Sequence, residues 1–359
     1  MRLTQIRKTY SFDDVMLVPR LSKLDTRAAA NLATTVAGIK LRIPIIAANM
    51  SSVCEVEMAK VIADLGGLGI IHRMCSVRDQ WDMILQVRHY SNIQKDEDVR
   101  DGCTPHDLNV GFSIGIGPDW TERMDLCSKD ANIACLDIAH GHHERVFKLL
   151  DVYFEKYKNY PLIIGQVSTA EAVLDLMGHI PAEFAGSVAF KASIGGGSLC
   201  TTRIKTGFGI PTLQAVMDIA GRFPTLSLIA DGGIKESGDI VKSLAAGADA
   251  VMLGNLLAGT DEAPGRLIKG RDDQLYKVYR GSASFGDKSL RGEETRNVEG
   301  EETLVSYKGP VERVIANLLD GIRSGFSYGG ASNIPELQDD IEFIEITSAG
   351  LRESLAHVK

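Results

Sequence analysis

Eight short apolar runs recur along the chain, and each is followed by a helical pattern or a glycine-rich loop. The runs cover residues 43–50, 68–73, 110–117, 133–140, 161–167, 188–195, 226–234 and 250–255. They are apolar throughout instead of alternating with polar residues, which is typical of strands buried on both faces of a parallel sheet. Eight such strands, each followed by a helix, predict an α/β fold of the (β/α)8 TIM barrel type. A doubly wound open sheet is the alternative, although it would not need eight units in succession.

The segments between the runs support one continuous domain. Residues 236–248 place Ile240, Val241 and Leu244 on one helical face before Gly247, and residues 55–67 have a similar amphipathic pattern. Residues 91–109 form a polar link without a hydrophobic period, and this link is too short to hold an inserted domain. We therefore expect a single domain over residues 1–359.

The pattern becomes irregular after the eighth run. Residues 270–310 are rich in charged residues, Gly and Ser and contain few apolar anchors. Such a segment predicts a mobile flap, at about residues 280–305, over the mouth of the barrel. A surface excursion without a role is the alternative, and residues 311–326 then predict a closing helix.

Charge and hydropathy exclude several classes of partner. The net charge of −8 argues against a nucleic-acid partner or an anionic membrane surface, because both attract net positive charge. The chain contains no apolar run of the roughly 18 to 20 residues that cross a bilayer, and its first residues are polar. A cytoplasmic protein is expected.

The cysteine pattern predicts neither a disulfide framework nor a zinc site. The six cysteines are Cys54, Cys75, Cys103, Cys127, Cys135 and Cys200, and no two of them form a C-x-x-C pair. A buried, inert thiol is the expectation for most of them, since free Cys packs like a small hydrophobic residue. Cys200 differs, because it follows the glycine-rich stretch "SIGGGS" at residues 193–198.

Glycine-rich loops follow the last three predicted strands, at the end of a barrel where active sites are built. Glycines let backbone N–H groups approach an anion closely, and the loops after strands 7 and 8 recurrently bind phosphate. The predicted phosphate cradle consists of Ser198, Gly232, Gly233, Gly254 and Asn255. Tight turns without a ligand are the alternative.

Other polar residues at the same end suggest chemistry beside that phosphate. A Cys200 thiolate would be a nucleophile for an electron-poor carbon, and Thr202 could transfer a proton nearby. Asp231 could accept hydrogen bonds from ribose hydroxyls, with helix capping as its alternative role. The spacing of His140, His142 and His143 suits no metal-ligand face, so no metal site is predicted there. These histidines instead predict a loop that lines the site after strand 4, with Asp137 at the end of that strand.

Several motifs together resemble the IMP dehydrogenase / GMP reductase family over nearly the whole chain. They are "SFDDVMLVP" (11–19), "PIIAANM" (44–50), "IGGGSLCTTR" (194–203), "ADGGIKESGDIVKSLAAGADAVMLG" (230–254), "YKVYRG" (276–281) and "GIRSGFSYGGA" (321–331). In this family the thiolate attacks the purine C2 atom. A dehydrogenase then passes a hydride to NAD and hydrolyses the adduct to XMP. A reductase instead loses ammonia first and receives a hydride from NADPH.

The flap favours the reductase. Glu299 follows Gly281 by only 18 positions, and the stretch lacks the Arg-Tyr pair of dehydrogenase flaps. "GSAS" (281–284), "NVEG" (297–300) and "KTGFG" (205–209) are similar to a bacterial branch of GMP reductases. The regulatory CBS module of many dehydrogenases has no counterpart in the short 91–109 link. Three alternatives stay open: an IMP dehydrogenase without CBS domains, an enzyme for a modified or deoxy purine nucleotide, and an inactive nucleotide-binding barrel.

The resemblance also implies roles for individual residues. Cys200 would be the nucleophile, with Thr202 and Glu299 as the acid/base pair. The substrate-binding set would be Met50, Arg73, Ser198, Asp231, Gly232, Gly233, Gly254, Asn255, Tyr279, Gly281, Ser282 and Ala283. The cofactor-binding set, for NADPH or for NAD in a dehydrogenase, would be Asp137, Ala139, His140, Gly141 and Gln166. A monovalent cation, K⁺, would lie at Gly195, Gly197 and Cys200, and the partners would be a purine nucleoside monophosphate and three further copies in a homotetramer.

Five positions depart from the family pattern, and each lies in a loop that should face the barrel mouth. They are Ser51, Gln166, Ser193, Gly196 and Asn255. Gln166, for example, stands where Asn is usual, and Asn255 replaces a common Ser. These departures leave the accepted nucleotide and the choice between NADPH and NADH open.

Overall fold

The computed structural model describes residues 6–93, 108–282, 284–285, 299–339 and 341–354. Three short strands precede the main sheet: β1 (Val15–Leu17), β2 (Thr34–Val36) and β3 (Ile39–Leu41). Eight parallel strands then close into a barrel. They are β4 (Ile45–Ala47), β5 (Leu68–Ile71), β6 (Val110–Ile114), β7 (Ile133–Asp137), β8 (Leu162–Val167), β9 (Val188–Ala192), β10 (Ser227–Asp231) and β11 (Ala250–Leu253). Each predicted run contains one barrel strand, which confirms the (β/α)8 barrel.

Helices alternate with the barrel strands and cover its outer surface. They are α1 (Val56–Asp64), α2 (Val77–Ile93), α3 (Trp120–Cys127), α4 (Glu144–Tyr157), α5 (Ala170–Met177), α6 (Thr202–Thr206), α7 (Thr212–Arg222), α8 (Ser237–Ala245), α9 (Val311–Gly329), α10 (Ile334–Asp339) and α11 (Ser348–Glu353). The helices predicted within 55–67, 236–248 and 311–326 are all present. Helix α2 extends to Ile93, so the predicted link begins later than residue 91, and residues 94–107 lie outside the described part.

The strands are apolar on both faces because two layers of core enclose them. Ile45 packs outward against the helices, whereas its neighbour Ile46 points into the barrel with Leu68 and Met252. Residues with either orientation are therefore buried. This double burial explains why the strands appear in the sequence as unbroken apolar runs.

Three of the five cysteines in the described residues belong to this core, as expected. Cys54, Cys127 and Cys135 are fully buried, and the five cysteines in the described part of the chain are free. Burial raises the pKa of the Cys127 thiol to about 12 and the pKa of the Cys75 thiol to about 11. These thiols are protonated and unreactive at neutral pH, while Cys103 lies outside the described residues.

The prediction of irregular structure over residues 270–310 is wrong at both ends of the segment. Strands β12 (Ile268–Lys269), β13 (Leu275–Arg280) and β14 (Glu302–Ser306) form an antiparallel three-stranded sheet. In β13 the alternate residues Lys277 and Tyr279 are buried, so a lysine stands at an inward position and obscures the period-two pattern. Residue 283 and residues 286–298 of the predicted flap lie outside the described part.

Two further features bear on the class of protein. In the described part of the chain, every helix is too short or too polar to span a membrane. The strand β1 pairs with β15 (Phe343–Glu345), so segments that are far apart along the chain meet there.

Candidate active site

A cavity of about 730 Å³ opens at the carboxyl ends of the barrel strands. The predicted site residues that line it are Met50, Arg73, Asp137, Ala139, Gln166, Gly195, Gly197, Ser198, Cys200, Thr202, Asp231, Gly232, Gly233, Gly254, Asn255, Tyr279, Gly281, Ser282 and Glu299. Its size lies within the range of roughly 300–1,000 Å³ that is usual for ligand pockets. The barrel thus gathers residues that are distant along the chain into one concave site.

Two of the predicted residues that the structure describes, His140 and Gly141, do not line this cavity. His140 is exposed, and its ring lies 6.3 Å from that of His142. Gly141 is buried behind the cavity wall, where its N–H donates to the Gln166 carbonyl at 2.7 Å. A Cβ at Gly141 would lie 2.9 Å from that same oxygen, so close packing requires a glycine there. Ala283 lies outside the described residues, and the cofactor-binding roles of His140 and Gly141 stay predictions.

Cys200, Thr202 and Glu299 form a continuous hydrogen-bonded chain at the cavity wall. The Cys200 Sγ atom donates to Thr202 Oγ1 at 3.1 Å, and Thr202 Oγ1 donates to Glu299 Oε2 at 2.6 Å. Thr202 is 9% exposed, so its hydroxyl is shielded from bulk water. The arrangement can carry a proton from the thiol to the carboxylate and back.

The backbone holds this chain of groups in place. Cys200 N–H donates to the Gly197 carbonyl at 3.0 Å, which closes a tight turn after Gly195, whose φ is +73°. Thr201 N–H donates to the Glu299 carbonyl at 2.9 Å, and Cys200 pairs with Gly300 in an antiparallel bridge. The cysteine loop is therefore attached to the chain that leads into β14.

Glycines dominate the end of the cavity at which a phosphate was predicted. A Cβ at Gly254 would lie 2.9 Å from Tyr279 Oη and 3.2 Å from Met50 Sδ, so the backbone approaches these side chains closely. At Gly232 a Cβ would lie 2.8 Å from the backbone of Gly196, and φ at Gly232 is +89°. The close contact between the Gly232 loop and the Gly196 loop is therefore sufficient to explain the glycine at position 232, whether or not a ligand binds there.

Hydroxyl groups complete the same end. Ser198 Oγ lies 3.5 Å from Tyr279 Oη, and the Tyr279 side chain is 4% exposed. Burial raises the pKa of Tyr279, so the phenol remains a neutral hydrogen-bond donor. Hydroxyl donors beside glycine turns are the groups that bind an anion without adding net charge.

Lys191, which the sequence analysis did not single out, joins two predicted site carboxylates. Its ammonium group donates to Asp137 Oδ1 at 2.6 Å and to Asp231 Oδ2 at 2.7 Å, and the side chain is 2% exposed. Burial favours the neutral form of Lys191, yet the two carboxylates outweigh burial and raise the pKa of Lys191. For the same reason the pKa of Asp137 lies below its ordinary value, because Lys191 and Arg73 outweigh burial.

Amide side chains complete this buried cluster. Asn49 Nδ2 donates to Asp137 Oδ2 at 3.0 Å, and Gln166 Nε2 donates to Asp231 Oδ2 at 2.5 Å. The only sequence signal for the cluster was a lysine in the middle of the apolar run at 188–195, which must be paired if the strand is buried.

The histidines near the cavity have structural partners. The His143 ring accepts a hydrogen bond from Arg145 N at 3.0 Å at the start of α4, and His142 Nε2 lies 2.8 Å from Asp175 Oδ2. In the described residues no group of three His, Cys, Asp or Glu side chains is placed to hold a metal ion. The potassium site at Gly195, Gly197 and Cys200 stays a prediction.

Comparisons with known proteins agree with this geometry. A family model described as the IMP dehydrogenase / GMP reductase domain matches residues 9–357. The chain is 34% identical to an inosine-5'-monophosphate dehydrogenase of Borreliella burgdorferi, with 98% of this chain and 97% of that protein covered. It is 30% identical to a GMP reductase of Leishmania major, with 97% and 96% covered.

A solved structure is similar over its full length. The structure of a GMP reductase from Trypanosoma brucei in complex with guanosine 5'-monophosphate has a TM-score of 0.88 and 29% sequence identity to this chain. The match covers 99% of this chain and 98% of the other. With the family model matching nearly every residue, the chain belongs to the IMP dehydrogenase / GMP reductase family of nicotinamide-dependent oxidoreductases.

Proposed function

We propose that the chain is a GMP reductase, which converts GMP and NADPH into IMP, ammonia and NADP. The observation that carries the proposal is the hydrogen-bonded chain from Cys200 through Thr202 to Glu299. Removal of an amino group needs a proton at the leaving nitrogen. A carboxyl group that shares a proton with the nucleophile's neighbour can supply it.

The orientation of the nucleotide in the cavity would be set by the glycine turns at one end and by Cys200 at the other. Its phosphate would lie among Ser198, Tyr279 and the glycine turns at Gly233 and Gly254, and its ribose hydroxyls would donate to Asp231. This placement directs the purine toward Cys200. Met50 and Arg73 line the remaining wall, where the base and the nicotinamide would meet.

The proposed steps balance in atoms and electrons. The Cys200 thiol passes its proton through Thr202 to Glu299, and the thiolate then adds to C2 of GMP. Glu299 returns the proton to the amino nitrogen, the C2–N bond breaks, and ammonia leaves a thioimidate on Cys200. When bound, NADPH supplies a hydride to C2, after which the C–S bond breaks and releases IMP. Cys200 regains a proton from water.

An IMP dehydrogenase is the second candidate, because relatives with that name cover nearly the whole chain. One of them is an inosine-5'-monophosphate dehydrogenase of Cryptosporidium parvum, 35% identical over 98% of this chain. The absence of an Arg-Tyr pair between Gly281 and Glu299 favours the reductase, since the resemblance assigns the activation of water in dehydrogenases to the arginine of that pair.

Two assays separate the candidates. Purified protein is incubated with GMP plus NADPH and, separately, with IMP plus NAD, and absorbance of the reduced cofactor is followed. We expect consumption of NADPH with release of ammonia in the first assay, and loss of that activity in Cys200→Ala. Formation of NADH in the second assay alone would assign the dehydrogenase, whereas activity in neither would contradict both candidates.

Other features of the assignment stay predictions. They are a single catalytic domain without a CBS module, a preference for NADPH over NADH, a K⁺ requirement, assembly as a homotetramer and a cytoplasmic location. Replacement of NADPH by NADH and of K⁺ by Na⁺ in the same assay tests the second and third of these.

A further inference from the structure

A lysine lies directly behind the loop that forms one side of the predicted phosphate site. Lys308 follows β14, and its ammonium group donates to the backbone carbonyls of Asn255 and Leu256, the latter at 3.2 Å. Gly254 and Asn255 line the cavity, whereas Lys308 does not. The ammonium group therefore contacts the loop from the side away from the cavity.

Three consecutive carbonyls of this loop are thereby held. The Gly254 carbonyl accepts the N–H groups of Leu257 at 3.1 Å and Ala258 at 2.9 Å, and Lys308 holds the next two carbonyls. In a planar trans peptide the C=O and N–H bonds point in opposite directions. The Asn255 carbonyl held by Lys308 thus directs the N–H of Leu256, which belongs to the same peptide, toward the cavity side of the loop, whereas the Leu257 N–H donates back to the Gly254 carbonyl.

The charge on Lys308 has no carboxylate to balance it among the described residues. The nearby acids have other partners: Asp261 Oδ1 accepts from Tyr307 Oη at 2.8 Å, and Glu262 Oε2 accepts from Val311 N at 2.8 Å. Burial lowers the pKa of Lys308 to about 8, so the fold disfavours the charged form. A buried cation without a carboxylate partner suggests that the anion that balances its charge belongs to a bound ligand.

We propose that Lys308 is a positioning residue for the phosphate group of the nucleotide. It fixes the peptide between Asn255 and Leu256 and places a positive charge behind this loop, on the side away from the phosphate. The proposal rests on the proposed function only in that a purine nucleoside monophosphate occupies the cavity. It holds equally for GMP and IMP, because both carry the same phosphate monoester.

Lys277 offers a matched control. Its ammonium group donates to the carbonyls of Asp261 at 3.0 Å and Ala263 at 2.6 Å, and the side chain is 5% exposed. It is thus another buried lysine that holds backbone carbonyls in the connection between β11 and β12. Residues 261–263 do not line the cavity, so Lys277→Met removes an anchor of the same kind away from the phosphate.

The test compares ligands with and without a phosphate. Calorimetry measures the binding of GMP, IMP and guanosine to the wild type, Lys308→Met, Lys308→Arg and Lys277→Met. We expect Lys308→Met to weaken GMP and IMP binding by about tenfold or more, the loss of one charge-assisted interaction, with guanosine binding changed less than about twofold. Lys308→Arg should restore most of the affinity, and Lys277→Met should bind all three ligands like the wild type. In steady state, Lys308→Met should raise the KM for the nucleotide and leave kcat nearly unchanged.

Three results would overturn the inference. They are unchanged GMP affinity in Lys308→Met, an equal loss for GMP and guanosine, and an equal loss of GMP affinity in Lys277→Met. If Lys308→Met does not fold, Lys308→Gln replaces it with the same expected selectivity for phosphate-bearing ligands. A wild type that binds neither GMP nor IMP would contradict the proposed function as well, whereas normal wild-type binding with an unaffected Lys308→Met would contradict only the role of Lys308.

Discussion

Replacement of Lys191 by Met removes the cation between two buried carboxylates while keeping a side chain of similar volume. Lys191 Nζ lies 2.6 Å from Asp137 and 2.7 Å from Asp231, and the carboxylate side chains are only 16% and 17% exposed. After the substitution, the two negative charges would face each other across the centre of the barrel mouth. We therefore expect Lys191→Met to destabilise the protein strongly at neutral pH.

The magnitude follows from what remains around the carboxylates. Loss of one partner from a buried ion pair costs about 3–5 kcal/mol, because the other charge stays buried without compensation. Asn49 and Gln166 would still donate to the two carboxylates. The expected loss in the free energy of unfolding is therefore at the lower end of that range, about 3 kcal/mol at pH 7.5.

The pKa of Asp137 determines how the stability deficit of Lys191→Met changes with pH. In the wild type the pKa of Asp137 is lowered below 3.8, so its ionised form stabilises the fold above pH 3.8, and this contribution is lost as the pH falls through the lowered pKa. Without Lys191 the main attraction that outweighs burial at Asp137 is lost, and the pKa of Asp137 rises. The deficit of Lys191→Met should then be largest near pH 7.5 and smaller at pH 5.5, where the Asp137 carboxyl can take up a proton.

Urea denaturation at pH 5.5 and pH 7.5 measures the effect. Lys191→Arg keeps the charge and should lose less than Lys191→Met at pH 7.5. Lys269→Met is the exposed control, since it breaks a surface pair with Asp273 and should change the stability by less than about 0.5 kcal/mol at both pH values. A loss below about 1 kcal/mol, or an equal loss at both pH values, would refute the reasoning.

Three other substitutions test separate parts of the structure. Glu299→Gln should lower the kcat of GMP reduction by about 10²-fold or more with little change in KM, because the acid/base group is lost; a change below about threefold would contradict the role. Gly254→Ala should raise the KM for GMP, since its Cβ would lie 2.9 Å from Tyr279 Oη; an unchanged KM would mean that the loop moves freely. Burial raises the pKa of Asp249 to about 6, so its ionisation destabilises the fold as the pH rises through 6. In urea denaturation, the free energy of unfolding of Asp249→Asn minus that of the wild type should therefore increase by about 1.5 kcal/mol between pH 5 and pH 7.5. A difference that does not change with pH would contradict this.

Part of the site was accessible from local sequence. Cys200 and Thr202 stand two residues apart, so their contact at 3.1 Å needs only the turn that the glycines allow. The glycine loops after β9, β10 and β11 were predicted to meet because parallel strands end at the same edge of a barrel. The resemblance to a family, and not any periodicity, indicated Glu299 as the third member of the catalytic group.

The sequence by itself determined the barrel, because strands buried on both faces must be apolar throughout and the amphipathic segments between them must cover the outside. Only the tertiary structure decided which charges meet. Lys191 contacts Asp137 and Asp231 from 54 and 40 positions away, and Thr202 reaches Glu299 across 97 positions. Lys308 likewise contacts Asn255 across 53 positions. Hydrophobic periodicity reports the burial of each residue, whereas the partner of a buried charge is fixed by the closure of the barrel and by the docking of β14 beside the cysteine loop.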